Sequence, residues 1–167
     1  MKTIVTTFLL FPFLSCCAFG QDKAAIAAAE AACGPDNIEF SVATDDSKHP
    51  TPAPENGKAL IYVVQRAGGA YKFKFGADGK WLGALKDGTY FYATVDPGEH
   101  HLCVKGHLPL WKGMSWHRLT AKPGETYYFF VRVLAGGGRD ELTLIELDPD
   151  EGKGLVAWSK FISSQAK

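Results

Sequence analysis

An excess of either charge is absent from this chain of 167 residues, which has 18 Lys and Arg against 18 Asp and Glu. Binding along a nucleic acid needs a basic field that neutralises phosphates, so we expect no nucleic acid partner.

Long apolar runs are also absent beyond residue 20. A membrane-spanning helix needs about 20 apolar residues, so no transmembrane segment is expected after that point.

The one concentrated apolar stretch is at the N-terminus, where MKTIVTTFLLFPFLSCCAFGQDK has one early lysine and then the apolar run 4–14. That run is too short for a bilayer but has the length of the hydrophobic region of a secretory signal. Residues 1–20 are therefore predicted to be a signal peptide, with the small residues Ala18 and Gly20 before the cut. Cleavage would leave Gln21 as the first residue of an exported protein, periplasmic or extracellular.

A lipid anchor is a second route that this N-terminus leaves open. Leu14-Ser15-Cys16-Cys17 is similar to a bacterial lipobox, in which a cysteine is acylated and becomes residue one. Acylation of Cys17 would turn a soluble protein into an anchored one. The cysteine at position 16 is unusual in such a motif, because Gly, Ala or Ser normally precedes the acylated residue.

Cysteine is scarce, and only Cys33 and Cys103 remain after the predicted signal peptide. Two cysteines in an oxidising compartment allow one intramolecular disulfide, which we predict here. The bridge would close a loop of about 70 residues and contribute up to about 4 kcal/mol to stability in the chain-entropy model. The alternatives are two free thiols or one intermolecular bridge.

Helical patterns are missing from most of the chain, and strands separated by turn residues take their place. Turn sequences such as Asp78-Gly79 and Asp96-Pro97-Gly98 recur between apolar or alternating runs. The pattern predicts a mainly β domain over 58–147, an antiparallel β-sandwich or small barrel without parallel βαβ units. The predicted strands are 59–66, 71–75, 81–85, 89–95, 99–105, 115–121, 126–134 and 141–147.

The segments before residue 58 are less regular. Residues 21–43 are predicted to form an alanine-rich helix, which ends at Cys33-Gly34-Pro35, and then a strand at 38–42. Residues 44–57 carry three prolines spaced by two, a pattern typical of extended polyproline conformation. We therefore predict a Pro-rich connector that lies over the domain.

Residues 148–167 are predicted to be a C-terminal tail packed on the domain, with a possible short helix. Asp148 and Pro149 fit the N-cap and the first helical position. Gly152 and Gly154 argue against a stable helix, because glycine is a poor helix former.

The stretch TVDPGEHHLC at 94–103 raises the question of a metal site, because two histidines stand close to a cysteine. We predict instead a hairpin in which 89–95 pairs with 99–105. Neighbouring residues of a strand point to opposite faces, so His100 and His101 would not bind one ion together. His100 is expected to be partly buried with a hydrogen-bonded imidazole. A histidine-based metal-binding protein stays an alternative.

Catalytic motifs are also not found. The sequence around Ser115 lacks the second glycine of a nucleophile elbow. The glycine run 136–138 is not followed by Lys-Ser/Thr or by a helix, as a phosphate loop would be. We therefore predict no catalytic residue, no metal ligand and no cofactor, with an enzyme of unrecognised type as an alternative.

An apolar loop is the strongest candidate for binding. Residues 106–117 are interrupted by Gly106, Pro109 and Gly113, which disfavour regular pairing. Aromatic residues in surface loops are typical of partner-binding sites, so we predict a binding patch centred on Trp111. The alternative is a lid that folds over the open end of the sandwich. The patch residues are Leu108, Leu110, Trp111, Met114 and Trp116.

Four motifs carry a resemblance, in the order GKALIYVVQR, DGKWLG, GTYFYATVDPGEHHLC and AKPGETYYFFVRV. Over about residues 57–147 they resemble the bacterial envelope proteins of domain of unknown function 2846. The PGEH turn is also similar to PEGA-type surface modules, which are small β-sandwiches. The resemblance implies a non-cytoplasmic β-rich domain and supplies no activity. We predict a non-catalytic exported envelope module that binds a protein, glycan or lipid surface, and its oligomeric state stays open.

Overall fold

The computed structural model describes most of the chain that follows the predicted signal peptide, namely residues 23–66, 68–69, 71–106, 113–134 and 141–167. The predicted cleavage site between Gly20 and Gln21 lies outside the described residues, and so does Cys17. Signal cleavage and lipidation therefore stay predictions.

Two sheets contain all the strands of the described residues. In chain order the elements are α1 (Lys23–Ala31), β1 (Phe40–Thr44), β2 (Ala59–Gln65), β3 (Lys72–Ala77), β4 (Lys80–Lys86), β5 (Thr89–Val95), β6 (Gly98–Gly106), β7 (Met114–Ala121), β8 (Thr126–Leu134), β9 (Glu141–Leu147), α2 (Pro149–Ala157) and β10 (Lys160–Ala166). The larger sheet has the order β1-β10-β5-β2-β8-β9, and the smaller sheet has the order β4-β3-β6-β7. The predicted mainly β fold is confirmed, and the two sheets form a sandwich.

The main core lies between the two sheets. β2 is apolar nearly throughout, and all of its residues are buried. It lies between β5 and β8 in the larger sheet. The smaller sheet contributes alternate residues, because successive side chains of a strand point to opposite faces. Phe73 and Phe75 of β3 and Leu102 and Val104 of β6 are fully buried in this core.

Two parallel pairs make the larger sheet mixed. β2 runs parallel to β8, with Tyr62 opposite Tyr128. β10 runs parallel to β5. Parallel neighbours need a long crossover connection. Between β2 and β8 the chain makes this crossover mostly through the strands of the smaller sheet, and the described part of the crossover contains no helix.

The predicted hairpin across Asp96-Pro97-Gly98 is wrong. β5 pairs with β2 in the larger sheet, whereas β6 pairs with β3 and β7 in the smaller sheet. A turn sequence specifies a reversal of the chain but not the partner of each strand. Here the turn passes the chain between sheets, so that Phe91 of β5 and Val104 of β6 enter one core from opposite sides.

The sandwich extends beyond the predicted limits of 58–147. β1 pairs with β10, and β10 pairs with β5, so both chain ends contribute strands to the larger sheet. The segment 148–167 is therefore part of the sandwich as well as a tail packed on it. The sequence of β10 gives little strand signal, because it lacks an alternating apolar pattern. In the structure, Ile162 is the only buried residue of this strand.

The predicted C-terminal helix is present as α2. Asp148 is its N-cap and accepts a hydrogen bond from the Asp150 N–H at 2.9 Å. Gly152, which argued against a helix, lies where α2 meets the larger sheet. A Cβ at Gly152 would lie 2.2 Å from Tyr128 Cγ. Glycine thus permits a close approach that no other residue would allow.

We expect Gly152→Ala to destabilise the protein by about 1–3 kcal/mol, the usual range for overpacking, because the new methyl group would overlap Tyr128. Gly154→Ala is the matched control in the same helix. A Cβ there would have nothing within 4 Å, and replacing a helical glycine should stabilise by up to about 1 kcal/mol. Urea denaturation measures both changes. Equal stability of the two variants would contradict the close packing of α2.

Candidate functional site

The N-terminal segment is fastened to the outer face of the smaller sheet by the predicted disulfide. The sulfur atoms of Cys33 and Cys103 are 2.03 Å apart, and their Cα atoms are 5.5 Å apart. Cys33 lies just beyond α1, and Cys103 lies in the middle of β6. Met114 Sδ packs 3.5 Å from Cys33 Sγ. Cys103 is therefore committed to a covalent bond and is not a metal ligand.

Lysine side chains hold the same segment through its carbonyl and carboxylate oxygens. Lys74 Nζ donates to the carbonyls of Asp36 at 3.3 Å and Ile38 at 3.1 Å. It also lies 4.6 Å from the centroid of the Trp81 ring. Lys105 Nζ reaches the Asp36 carboxylate at 2.5 Å. The alternating sequence pattern of 71–75 predicts that Lys74 points to solvent from the outer face of the smaller sheet. In the structure, the N-terminal segment covers Lys74 on that face.

Burial of Lys74 has an electrostatic cost that its neighbours offset. Its side chain is only 4 % exposed. Burial lowers the pKa of Lys74, the charge of Lys105 lowers it further, and the Asp36 carboxylate opposes the change. Residues 32–38 thus cover part of the outer face of the smaller sheet, and we call them the N-terminal cover. Lys74, Lys105 and the disulfide hold this cover in place.

A groove borders the N-terminal cover, and we call it the Trp116 surface. It is lined by Ala32, His101, Trp116, His117 and Arg118 and has a volume of about 320 Å³. His101 and Arg118 are paired across β6 and β7, and both are exposed. The indole of Trp116 is 52 % exposed. An exposed aromatic ring beside an arginine is typical of a protein-binding surface.

The predicted binding patch is only partly described. Met114 and Trp116 belong to the regular strand β7, because the strand begins directly after Gly113. Trp116 thus lies in a strand, in agreement with the predicted strand 115–121, whereas the prediction that Met114 lies outside a strand is wrong. Met114 packs against the disulfide, whereas Trp116 is exposed. The remaining patch residues, Leu108, Leu110 and Trp111, lie outside the described residues.

His100 is buried as predicted and has a structural role. Its Nδ1 lies 2.6 Å from Asp78 Oδ2, and its Nε2 lies 2.6 Å from the Asp96 carbonyl. The other Asp78 oxygen accepts the His101 N–H at 2.9 Å. Two acceptors favour the imidazolium, which donates from both nitrogens. The bonds tie the β3–β4 turn to the corner between the sheets.

The pKa values of this pair move in opposite directions. Burial by itself would lower the pKa of His100, but the hydrogen bonds to Asp78 and to the Asp96 carbonyl outweigh it, so the pKa is raised. Burial would raise the pKa of Asp78, but the hydrogen bonds from His100 and from the His101 N–H lower it.

The side chain of His101 does not share this site with His100 and instead lines the Trp116 surface. Within the described residues, no three His, Cys, Asp or Glu side chains are grouped to hold a metal ion.

A tyrosine cluster that was not predicted from the sequence covers the outer face of the larger sheet. Tyr62 donates to the Pro52 carbonyl at 2.9 Å, and Tyr90 donates to the Pro50 carbonyl at 3.0 Å. Burial raises the pKa of Tyr90 to about 12. The connector therefore lies over the domain, as predicted. The signal was the apolar character of β2 on both faces, which requires a second cover.

Comparisons with known proteins give no relative. No protein-family model, curated protein or solved structure matches the chain. The resemblance to the envelope proteins of domain of unknown function 2846 therefore stays a hypothesis. In the part of the chain that the structure describes, no helix has the length and apolar character needed to cross a membrane.

The disulfide should contribute strongly to stability. We expect the double variant Cys33→Ser, Cys103→Ser to lose up to about 4 kcal/mol of unfolding free energy, the upper value for a loop of this length. Guanidinium denaturation of the oxidised wild type and the variant measures the loss. Reduced wild type is the control and should match the variant. A difference below about 1 kcal/mol would contradict a fastened N-terminal cover.

The His100 contacts should make stability depend on pH. A raised folded pKa gives stabilisation that is complete below the unfolded value of about 6.5 and is lost as pH rises through the folded pKa. A lowered Asp78 pKa gives stabilisation present above about pH 4 and lost as pH falls through its folded pKa. The loss of unfolding free energy in His100→Gln should therefore be greatest between about pH 4 and 6.5. Thermal melts across pH test this, with His101→Gln as the exposed control. A loss that is constant from acid to alkaline pH would refute the account.

Proposed function

We propose that this chain is an exported, non-catalytic envelope module that binds an acidic segment of a protein partner through the Trp116 surface. The observation that carries the proposal is the groove itself. It places one exposed indole in the same groove as His101, Arg118 and Ala32 of the N-terminal cover. Tryptophan and arginine are the residues most enriched among those that dominate binding energy.

Export is supported by two independent features. The first is the predicted signal peptide at 1–20. The second is the Cys33–Cys103 bond, because structural disulfides persist in oxidising compartments and are rare in the cytosol. The resemblance to envelope proteins agrees with both features.

A binding role is supported by how the reactive side chains are used. His100 is held by Asp78 and a carbonyl. His117 Nε2 lies 3.1 Å from Glu146 Oε2, and its ring packs edge-on against Phe129 at 5.0 Å. The His100 imidazole therefore connects β6 to the β3–β4 turn, and the His117 imidazole connects β7 to β8 and β9. His101 and Arg118 remain exposed, and the charge of Arg118 favours a partner that supplies carboxylates.

The second exposed tryptophan provides a comparison within the same molecule. Trp158 is 78 % exposed at the end of α2, and the guanidinium of Arg66 lies 5.9 Å from its ring centroid. It does not line a groove with the N-terminal cover. Trp116 is therefore the better binding site, and Trp158 is the matched control.

Site-specific photo-crosslinking tests the proposal. Benzoylphenylalanine replaces Trp116 in one variant of the exported chain and Trp158 in another, and both are irradiated in the envelope of the producing organism. We expect one discrete protein adduct from position 116 and none from position 158. Mass spectrometry then identifies the crosslinked segment, which should be rich in Asp and Glu.

Binding of that purified partner should depend on the groove. Trp116→Ala should weaken binding by about 2 kcal/mol or more, as at other dominant aromatic contacts. Arg118→Ala should weaken it most at low salt, because salt screens exposed charges. Trp158→Ala should leave it unchanged. An adduct with lipid or glycan, no adduct at position 116, or equal adducts at both positions would overturn the proposal.

A further inference from the structure

A second cavity lies on the opposite side of the molecule from the Trp116 surface. It has a volume of about 270 Å³ and lies between the connector, α2 and the paired strands β2 and β8. Its aromatic wall is formed by Tyr62 and Tyr128, whose rings are stacked at 5.3 Å and 9°. Small-molecule sites usually measure about 300–1,000 Å³, so this volume fits a single ring.

Lys153 gives this cavity a positive charge. Among the described residues, its ionisable lining side chains besides the tyrosines are His49 and Lys153, and none is a carboxylate. The ion pair of Lys153 with Asp150 is long, at 3.5 Å, and both side chains are largely exposed. Such a pair contributes little. The Lys153 ammonium can therefore turn to a carboxylate in the cavity.

Hydroxyl groups supply the remaining polar contacts. Thr51, Thr126 and Tyr128 line the cavity, and each hydroxyl both donates and accepts. Burial raises the pKa of the Tyr128 phenol, and the charge of Lys153 opposes the rise. The Tyr62 hydroxyl is already bound to the Pro52 carbonyl. It therefore holds the connector wall and leaves the Tyr128 hydroxyl for a ligand.

We propose that this cavity binds a sugar acid, a single six-membered ring with several hydroxyls and one carboxylate. Lys153 would bind the carboxylate, the threonine and Tyr128 hydroxyls would bind the ring hydroxyls, and the tyrosine rings would contact the apolar C–H groups. An aromatic acid shares the ring and the carboxylate but leaves the three lining hydroxyls unpaired, which carries a penalty. The site is separate from the Trp116 surface, so the two proposals stand or fall independently.

Calorimetric titration of the mature chain with D-glucuronate tests the proposal. We expect saturable binding with a dissociation constant in about the millimolar range or below, as for a ligand of this size. D-glucose has the same ring without the carboxylate and should bind at least about tenfold more weakly. Benzoate, which has the carboxylate without the hydroxyls, should also bind more weakly.

Four variants locate the site. Lys153→Ala should weaken glucuronate binding by about tenfold or more, and Tyr128→Phe should weaken it by about three- to tenfold. Lys72→Ala, an exposed lysine of the smaller sheet, and Tyr92→Phe, a tyrosine outside the cavity, should have no effect. Circular dichroism confirms that each variant is folded. Absence of saturable glucuronate binding to the wild type, tighter binding of benzoate, or unchanged binding to a folded Lys153→Ala would overturn the proposal.

Discussion

Strands that are apolar on both faces need a cover on both faces, and this requirement shapes most of the molecule. All residues of β2 are buried. One face of the strand packs in the core between the sheets, and the other packs in the tyrosine cluster. The connector and α2 cover the outer face of the larger sheet, and the N-terminal cover lies on the smaller sheet. The Trp116 surface lies at the edge of the N-terminal cover, and the cavity lined by Tyr62 and Tyr128 lies between the connector and α2.

Polar and covalent contacts contribute to holding these covers in place. Tyr62 and Tyr90 bind carbonyls of the proline-rich connector. Lys74 binds carbonyls of the N-terminal cover, and the disulfide fastens that cover covalently. Extended segments without a sheet partner have free carbonyls, and a buried carbonyl needs a donor. The same side chains that satisfy the backbone therefore position the covers beside the Trp116 surface and the cavity lined by Tyr62 and Tyr128.

Local sequence patterns predicted the strands β1 to β9, the tight turn at Asp78-Gly79 and the disulfide, because each depends on few residues. Asp78 and Gly79 have positive φ values of 51° and 78°, as the predicted tight hairpin turn requires. Sheet partners were less predictable, because the turn at Asp96-Pro97 directs β6 to a different sheet from β5. The cavity lined by Tyr62 and Tyr128 combines residues from four distant segments of the chain. No local pattern brings His49 and Lys153 together, so only the folded chain reveals that site.

Hydroxyl-radical footprinting of the mature, oxidised protein tests most directly whether chain segments cover both outer sheet faces. Tyr62 and Tyr90 are 3 % and 0 % exposed beneath the connector, whereas Trp158 is 78 % exposed. The account predicts slow oxidation of the two tyrosines and fast oxidation of Trp158, with Trp116 also reactive. Oxidation of Tyr62 and Tyr90 at a rate close to that of Trp158 would show that the outer face is open, and it would contradict the account.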